Sequence, residues 1–294
     1  YGAVHGPFTP AKRHFENYPA AKVKVPADVY PPRKGKPEYS RNKEQWVKGP
    51  NDLPVLKAGR FAGRTVTGKF IHGTDIHSLE RQYNQGVLAI DEGVGKLIKA
   101  LKETGQYDNT LIVFGADQGI AWGQKGFQMK LAPYDGTIRG PLIVSMPKKL
   151  PSGKVCPKPV GGADLVPTFF STAGLKLPWK MHGRDLTPLL EQPERKDWKS
   201  PLLLAHTGMS FGEDCDEVID MKDDPIYQKQ RVPWWVSLRT DRYKYIRNLL
   251  PGETEELYDM KKDPKQFKNL AKISAFKTEL QTQRRLYEKR IKAL

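Results

Sequence analysis

Cysteine is nearly absent. Cys156 and Cys215 are the only two in 294 residues, so neither a disulfide framework nor a cysteine-rich zinc site can be built from this chain. No uninterrupted apolar run approaches the ~20 residues a membrane-spanning helix needs, and no membrane span is expected. A charged segment followed by an apolar stretch, the mark of a secretory signal, is also missing near Tyr1. The chain is expected to be a piece of a longer polypeptide. Acids are scarce relative to bases, 33 Asp and Glu against 49 Lys and Arg, a formal charge of +16. Such a balance suits a polyanionic partner, whether nucleic acid, acidic lipid or a sulfated or phosphorylated glycan. It is equally what a solvated basic surface carries. No internal repeat is visible.

What is present describes a globular protein. Hydrophobic residues make up 38% and aromatic residues 10%, while 24 prolines and 26 glycines call for many turns. The length suffices for one large or two modest domains. Residues 1 to 70 are rich in Pro, Lys and Arg and read as loop-dominated chain with short apolar elements. From Asp75 to Thr104 apolar residues recur at three- and four-residue intervals, Val87, Ile90, Val94, Leu97, Ile98 and Leu101 among them. This spacing predicts an amphipathic helix, closed by Gly105. "TLIVFGA" follows as a strand apolar at nearly every position, as in a parallel sheet covered on both faces. "PLIVSMP" is a second strand, and "GGADLVPTFFSTAGL" a short helix opened near Asp164 and closed by Gly174. Beyond residue 195, "PLLLAH", "WWVSLRT" and "RYKYIRN" read as strands, with "TDR" as a tight turn between the last two. "ELYDMKKDPKQFKNLA" leads into a charged terminal helix, roughly 274 to 294. The expected division is residues 1–194 and a smaller α+β unit, residues 195–294.

The stretch "FGADQGIAWGQKGFQMKLAPYDGTIRGP" carries the candidate chemistry. Ligands of open α/β sheets gather at the carboxyl ends of strands, and Asp117 and Gln118 lie just past such an end. A carboxylate and an amide carbonyl are hard oxygen donors, suited to Ca²⁺ or Mg²⁺. On the same segment Lys125, Lys130 and Arg139 place cations that could hold a tetrahedral oxyanion. Taken alone, each residue reads first as a turn residue or a solvated charge.

The ordered spacing resembles the sulfatase family, a branch of the alkaline-phosphatase-like superfamily. The order is a strand, Asp-Gln-Gly, a glycine-containing loop, Lys130, Tyr134-Asp135 after three residues, Arg139, Pro141 and another strand. Asp135 stands where that family usually has Glu, and Gly140 fills the middle of its Arg-x-Pro. Four other stretches also resemble the family: "YGAVHGPFTP" its His-x-Pro segment, "YNQGVLAIDEGVGKLIKALKETGQYDNTLIVF" the helix before its metal strand, "ADLVPTFFSTAGLKLP…HGRDLTPLL" its Asp-Leu-x-Pro-Thr helix, and "VSLRTDRYKYIRN…ETEELYDMKKDPKQFKNLA" its C-terminal sheet. The fold this implies is α/β, part of an alkaline-phosphatase-like mixed sheet flanked by helices. A smaller C-terminal α+β subdomain, an antiparallel sheet plus a terminal helix, completes it.

The resemblance implies Asp117 and Gln118 as ligands of a divalent metal, Ca²⁺ with Mg²⁺ as the alternative. It implies Lys130 and His5 as catalytic contacts to the sulfate or leaving oxygen, and Lys125, Arg139 and His206 as substrate-binding positions. The implied partner is a sulfated glycan or a small sulfate ester rather than nucleic acid, met in the periplasm or after secretion. Oligomeric state is unknown. The family's nucleophile, a formylglycine made from Cys or Ser in Cys/Ser-x-Pro-x-Arg, is expected in the missing N-terminal part, as is an early aspartate pair. Cys156 begins "CPKP" and does not fit. The chain as given is therefore expected to be inactive. A phosphoesterase of the same superfamily and a non-catalytic polyanion binder are the competing readings.

Among other residues, His72 and His77 read as surface or capping groups, and for His182, in "HGRDL", the resemblance implies a structural or a substrate-facing role equally. Trp234, Trp235, Tyr243 and Tyr245 read as the core of a small sheet, with a sugar-stacking platform as the alternative.

Overall fold

The computed structural model describes residues 4–6, 8–18, 22–57, 75–128, 130–207 and 224–293. His72 and Cys215 lie outside the described residues. In chain order the first elements are α1 (Glu38–Arg41), β1 (Trp46–Lys48), β2 (Pro54–Leu56), α2 (Ile76–Glu103), β3 (Ile112–Gly115), α3 (Asp135–Ile138) and β4 (Leu142–Ser145). Next come α4 (Leu165–Thr172), α5 (Thr187–Glu191), β5 (Leu202–His206), α6 (Pro225–Gln230), β6 (Trp235–Arg239), β7 (Tyr243–Asn248), β8 (Glu256–Asp259) and α7 (Lys277–Ile291). They fall into two compact units. One comprises Tyr1–Arg33, Ser40–Thr110 and Ile120–Lys130, the other Lys34–Tyr39, Leu111–Gly119 and Leu131–Leu294.

The first unit is organised by α2, which begins and ends where its sequence says. Asp75 caps it by accepting from the amides of His77 and Ser78, both at 3.0 Å. Gly105, with φ +71°, stands just beyond its end. Its buried residues, Ile76, Leu79, Gln82, Gln85 and Gly86, lie in the first three turns. Ile76 and Leu79 pack in a core with Phe8, Val29, Trp46 and Trp122. Gln85 Nε2 donates to the carbonyls of Phe15 and Asn17, tying the N-terminal segment to the helix. The apolar stripe farther along is only partly covered among the described residues, and Leu97 is 59% exposed. Periodicity reveals that a helix is amphipathic; it does not say which turns have a partner.

The proline-rich segment holds its shape with little regular structure. Buried Arg33 donates to the carbonyls of Asp28, Val29, Ser40 and Lys43, so one planar guanidinium satisfies four loop acceptors. The antiparallel β1–β2 hairpin follows, and Trp46 Nε1 donates to the carbonyl of Phe127 at 3.1 Å.

In the second unit β3 pairs with β4, and the pairing is antiparallel: Ile112 opposes Ser145 and Gly115 opposes Leu142. This corrects the parallel, doubly covered strand expected from "TLIVFGA". An unbroken apolar run signals burial and not strand direction, and here Ile143 is 62% exposed. The C-terminal sheet is fully antiparallel in the order β5-β6-β7-β8. The strand β8 was hidden in "ELYD", too short to separate from the charged run after it.

Alternation divides this sheet into two faces. Val236, Leu238, Tyr245 and Leu257 form a core with Leu280 and Tyr287 of α7. Trp235, Ser237, Lys244, Ile246, Glu256 and Tyr258 occupy the other register positions and are also buried. Trp234, Trp235 and Tyr245 are thus core residues rather than an open platform.

Candidate active site

Asp117 and Gln118 occupy the turn leaving β3, and close backbone contact fixes that turn. A Cβ on Gly119 would stand 2.7 Å from the carbonyl oxygen of Arg139, and one on Gly140 3.2 Å from that of Ala116. Ala116 also donates its amide to Pro141 O at 3.3 Å. The glycines of "ADQG" and "RGP" therefore let two loops touch, which brings Asp117, Gln118 and Arg139 into one local framework. Asp117 and Arg139 are exposed, and Gln118 Nε2 lies 3.3 Å from Asp117 Oδ2.

The oxygens of Asp117 and Gln118 suit a hard cation in kind. They do not suffice in number, since Ca²⁺ takes about six to eight oxygens. Among the described residues no group of three or more His, Cys, Asp or Glu side chains could hold a metal ion.

His5, Lys125 and Lys130 belong to the other unit. His5 is exposed, and its Nδ1 lies 3.0 Å from the carbonyl of Gly6. A carbonyl only accepts, so Nδ1 carries the proton and a neutral ring keeps Nε2 as its acceptor. Lys130 is half-buried. Lys125 is 2% exposed and its Nζ lies 2.7 Å from Asp28 Oδ2. It sits in a left-handed conformation, φ 55°, and its ammonium is directed at a carboxylate of its own unit.

His206 ends β5 and so belongs to the C-terminal sheet rather than to the β3 turn. Burial lowers its pKa against the opposing charge of Asp224. Its ring is tilted 38° to that of Trp235 at 6.0 Å.

The turn carrying Tyr134 and Asp135 rests on the polar face of the C-terminal sheet. Tyr134 donates to the fully buried Glu256 carboxylate at 3.1 Å, and Tyr258 donates to the same group. Lys36 donates to Tyr258 Oη and to the carbonyl of Gln266, with its Nζ 4.1 Å from the centroid of the Tyr258 ring. Asp135 receives Lys244 Nζ at 2.8 Å, while its amide donates to Gln266 Oε1 at 2.8 Å. Burial lowers the Lys244 pKa and Asp135 opposes the shift. Burial, reinforced by Glu256, raises the Tyr258 phenol well above its usual value, so it stays protonated and able to donate. Just upstream, Leu131 adopts φ 80°, and its carbonyl accepts from Trp235 Nε1 at 2.7 Å. A left-handed non-glycine residue held by a buried indole is a strained turn stabilised by its surroundings.

Lys36, Lys244, Glu256 and Tyr258 were not found by sequence reasoning. A faint signal existed: in "RYKYIRN" and "EELYD" a charged residue falls at the same alternation as buried apolar or aromatic ones. Chemically, the β3 turn offers oxygens to a cation. In the same unit Arg139 carries positive charge; in the other unit Lys130 carries positive charge and His5 can carry a proton.

Comparison with known proteins identifies the pattern. The profile described as Sulfatase matches residues 3–175, a span that includes His5, Asp117, Gln118, Lys125, Lys130 and Arg139 and stops before His206. An N-acetylglucosamine-6-O-sulfatase of Bacteroides thetaiotaomicron is 28% identical over 207 residues, covering 70% of this chain and 34% of its own length. The chain thus spans about a third of that curated relative. Among solved structures, BT4656 in complex with D-glucosamine-2-N,6-O-disulfate superposes with a TM-score of 0.74 at 23% identity, covering 98% of this chain and 64% of that one. A phosphonate monoester hydrolase from Silicibacter pomeroyi gives 0.61 at 26% identity, covering 74% and 42%. The profile match over more than half of the residues, with the shared fold, establishes that the chain belongs to the sulfatase family of the alkaline-phosphatase-like superfamily.

Proposed function

We propose that this chain is the later part of a sulfuric ester hydrolase acting on a sulfated carbohydrate or an aryl sulfate. The observation that carries the reading is the family match across residues 3–175, which takes in six of the seven candidate site residues.

In this reading Asp117 and Gln118 hold a divalent cation, Ca²⁺ or Mg²⁺, together with ligands beyond this pair; when bound, it supplies positive charge beside the sulfate oxygens. Lys130 holds charge developing on a non-bridging oxygen, where an ammonium gains strength as water is excluded. His5, as the imidazolium with both ring nitrogens protonated, donates from Nε2 to the leaving oxygen. Arg139 adds a guanidinium for the anionic substrate. The Lys125–Asp28 ion pair supports a role for Lys125 in holding its loop, and His206 would line the approach from the C-terminal sheet. Cys/Ser-x-Pro-x-Arg does not occur in the 294 residues, so the chain by itself is proposed to release no sulfate. The site of action would be the periplasm or the exterior of the cell.

A phosphoesterase is the second reading, favoured by the likeness to a phosphonate monoester hydrolase. Gln118 weighs against it, because an amide oxygen suits a hard cation better than a transition metal. The test uses the gene product that contains this chain with its upstream sequence. Sulfate release should exceed phosphate release, and Lys130→Ala should lower sulfate turnover by at least ~100-fold, as for a lost transition-state donor. The melting temperature should stay within a degree or two. Faster phosphate release overturns the substrate class, and near-normal turnover of the variant removes Lys130 from the site.

A further inference from the structure

Charge is unevenly spread along this chain. Residues 261–294 contain eleven Lys and Arg against three Asp and Glu, a net +8 of the chain's +16. Six of these cations belong to α7 or its C-cap: Arg290, which donates to the carbonyl of His182, and the five others, Lys277, Arg284, Arg285, Lys289 and Lys292. At 100° per residue those five share an arc of about 140°, all five are exposed, and one exposed acid, Glu288, lies on the same arc, which leaves it a net +4. The opposite face of α7 holds Leu280, Gln283 and Tyr287, all buried. Arg284 pairs with Glu255; Lys277, Arg285, Lys289 and Lys292 make no ion pair among the described residues. Lys261, Lys262, Lys265, Lys268 and Lys272, in the segment leading into the helix, are exposed as well.

We propose that the outward face of α7, with the lysine-rich segment before it, is a binding surface for a sulfated polysaccharide. Four cations without carboxylate partners, one to two turns apart on a rigid helix, form a sustained positive stripe about 20 Å long. A polyanion meeting that stripe releases condensed counterions, which drives binding. The helix cannot insert into a bilayer, because its apolar face is already packed on the C-terminal sheet. Single-stranded nucleic acid would want aromatic rings to stack on, and the outward arc of α7 has none, since Tyr287 points inward. The choice of a sulfated glycan among polyanions rests on the sulfate-ester reading above. The stripe would then hold a polymeric substrate by repeats other than the one being cleaved.

The test is binding of the full chain to heparin, hyaluronan and duplex DNA in 0.15 M salt. It compares the parent with Lys277→Gln/Arg285→Gln/Lys289→Gln/Lys292→Gln and with a control that removes four exposed charges elsewhere, Lys96→Gln/Lys154→Gln/Lys176→Gln/Lys180→Gln. The expected result is heparin binding weakened by at least ~10-fold in the helix variant and by less than ~3-fold in the control. Hyaluronan, which lacks sulfate, should bind at least ~10-fold more weakly than heparin. Equal losses in both variants would show an effect of net charge alone, and DNA binding as tight as heparin would make this a nucleic-acid surface; either overturns the proposal. Binding is read without turnover, so the two readings can fail separately. Heparin binding by the chain, with no sulfate release by the gene product that contains it and its upstream sequence, would sink the hydrolase alone. Sulfate release with no heparin binding would sink the stripe alone.

Discussion

Replacing Lys36 by Met tests whether the polar face of the C-terminal sheet supports the Tyr134–Asp135 turn as a unit. Lys36 and Glu256 have side chains 1% and 0% exposed, with Nζ 3.9 Å from Oε2. At an effective dielectric of about 20 their gross attraction is about 4 kcal/mol. Removing the ammonium leaves Glu256 buried with the hydroxyls of Tyr134 and Tyr258 as its donors among the described residues. Breaking a buried pair by deleting one partner costs about 3–5 kcal/mol. Lys36→Met should therefore lower stability by about 4 kcal/mol and the melting temperature by roughly 10 °C. The Lys36→Met/Glu256→Gln double variant removes both charges, and the buried Gln still hydrogen-bonds the phenols. It should be less destabilised than Lys36→Met alone, with a coupling energy of about 2–3 kcal/mol. Urea unfolding, followed by far-UV circular dichroism and tryptophan fluorescence, gives each corner of the cycle. A single-variant cost under about 1 kcal/mol, or simple additivity, would refute the coupled network.

Two further stability predictions follow from the geometry. Burial raises the Glu80 carboxyl to about 7, so the folded chain keeps a proton that the unfolded chain loses above its ordinary carboxyl pKa. Stability should fall as pH rises from about 4.5 to 7. Glu80→Gln should be neutral near pH 4.5 and stabilising by up to about 3 kcal/mol at pH 8; an equal effect at both values would rule this out. Gly119→Ala drives a Cβ into the Arg139 backbone and should cost about 1–3 kcal/mol. Gly95→Ala, with nothing within 4 Å of the new Cβ, should instead stabilise α2 by about 0.5–1 kcal/mol. Thermal melts that fail to separate the two glycines would contradict the tight loop contact.

Local signals were legible in the sequence wherever the physics is local. The Asp75 cap and the Gly105 stop delimit α2 because capping hydrogen bonds and a left-handed stop involve only residues near the helix end. The strands β5, β6 and β7 were visible as β-rich runs separated by turn residues, and the family resemblance came from the spacing of a few chemical groups along one segment. The pairing direction of β3 and the cover of α2 were not visible, because both depend on partners distant in the chain. Lys125 looked like another solvated or anion-binding lysine, and only its approach to Asp28, 97 residues away, shows where its charge is directed.

By itself, then, the sequence determined that α2, α4 and α7 are helical and β3 to β7 extended, that Asp117, Gln118, Lys130 and Arg139 follow one another in a sulfatase order, and that the chain is strongly basic. The tertiary structure decided that Gly119 and Gly140 let the two site loops touch and that a buried Lys36–Glu256–Tyr258 cluster underlies Tyr134. It also decided that the cations of α7 face outward while its apolar residues are used by the sheet. The physical reason is one of range. Propensity, capping and motif spacing act over a few residues, whereas desolvation, ion pairing and close backbone contact act between groups that only folding brings together.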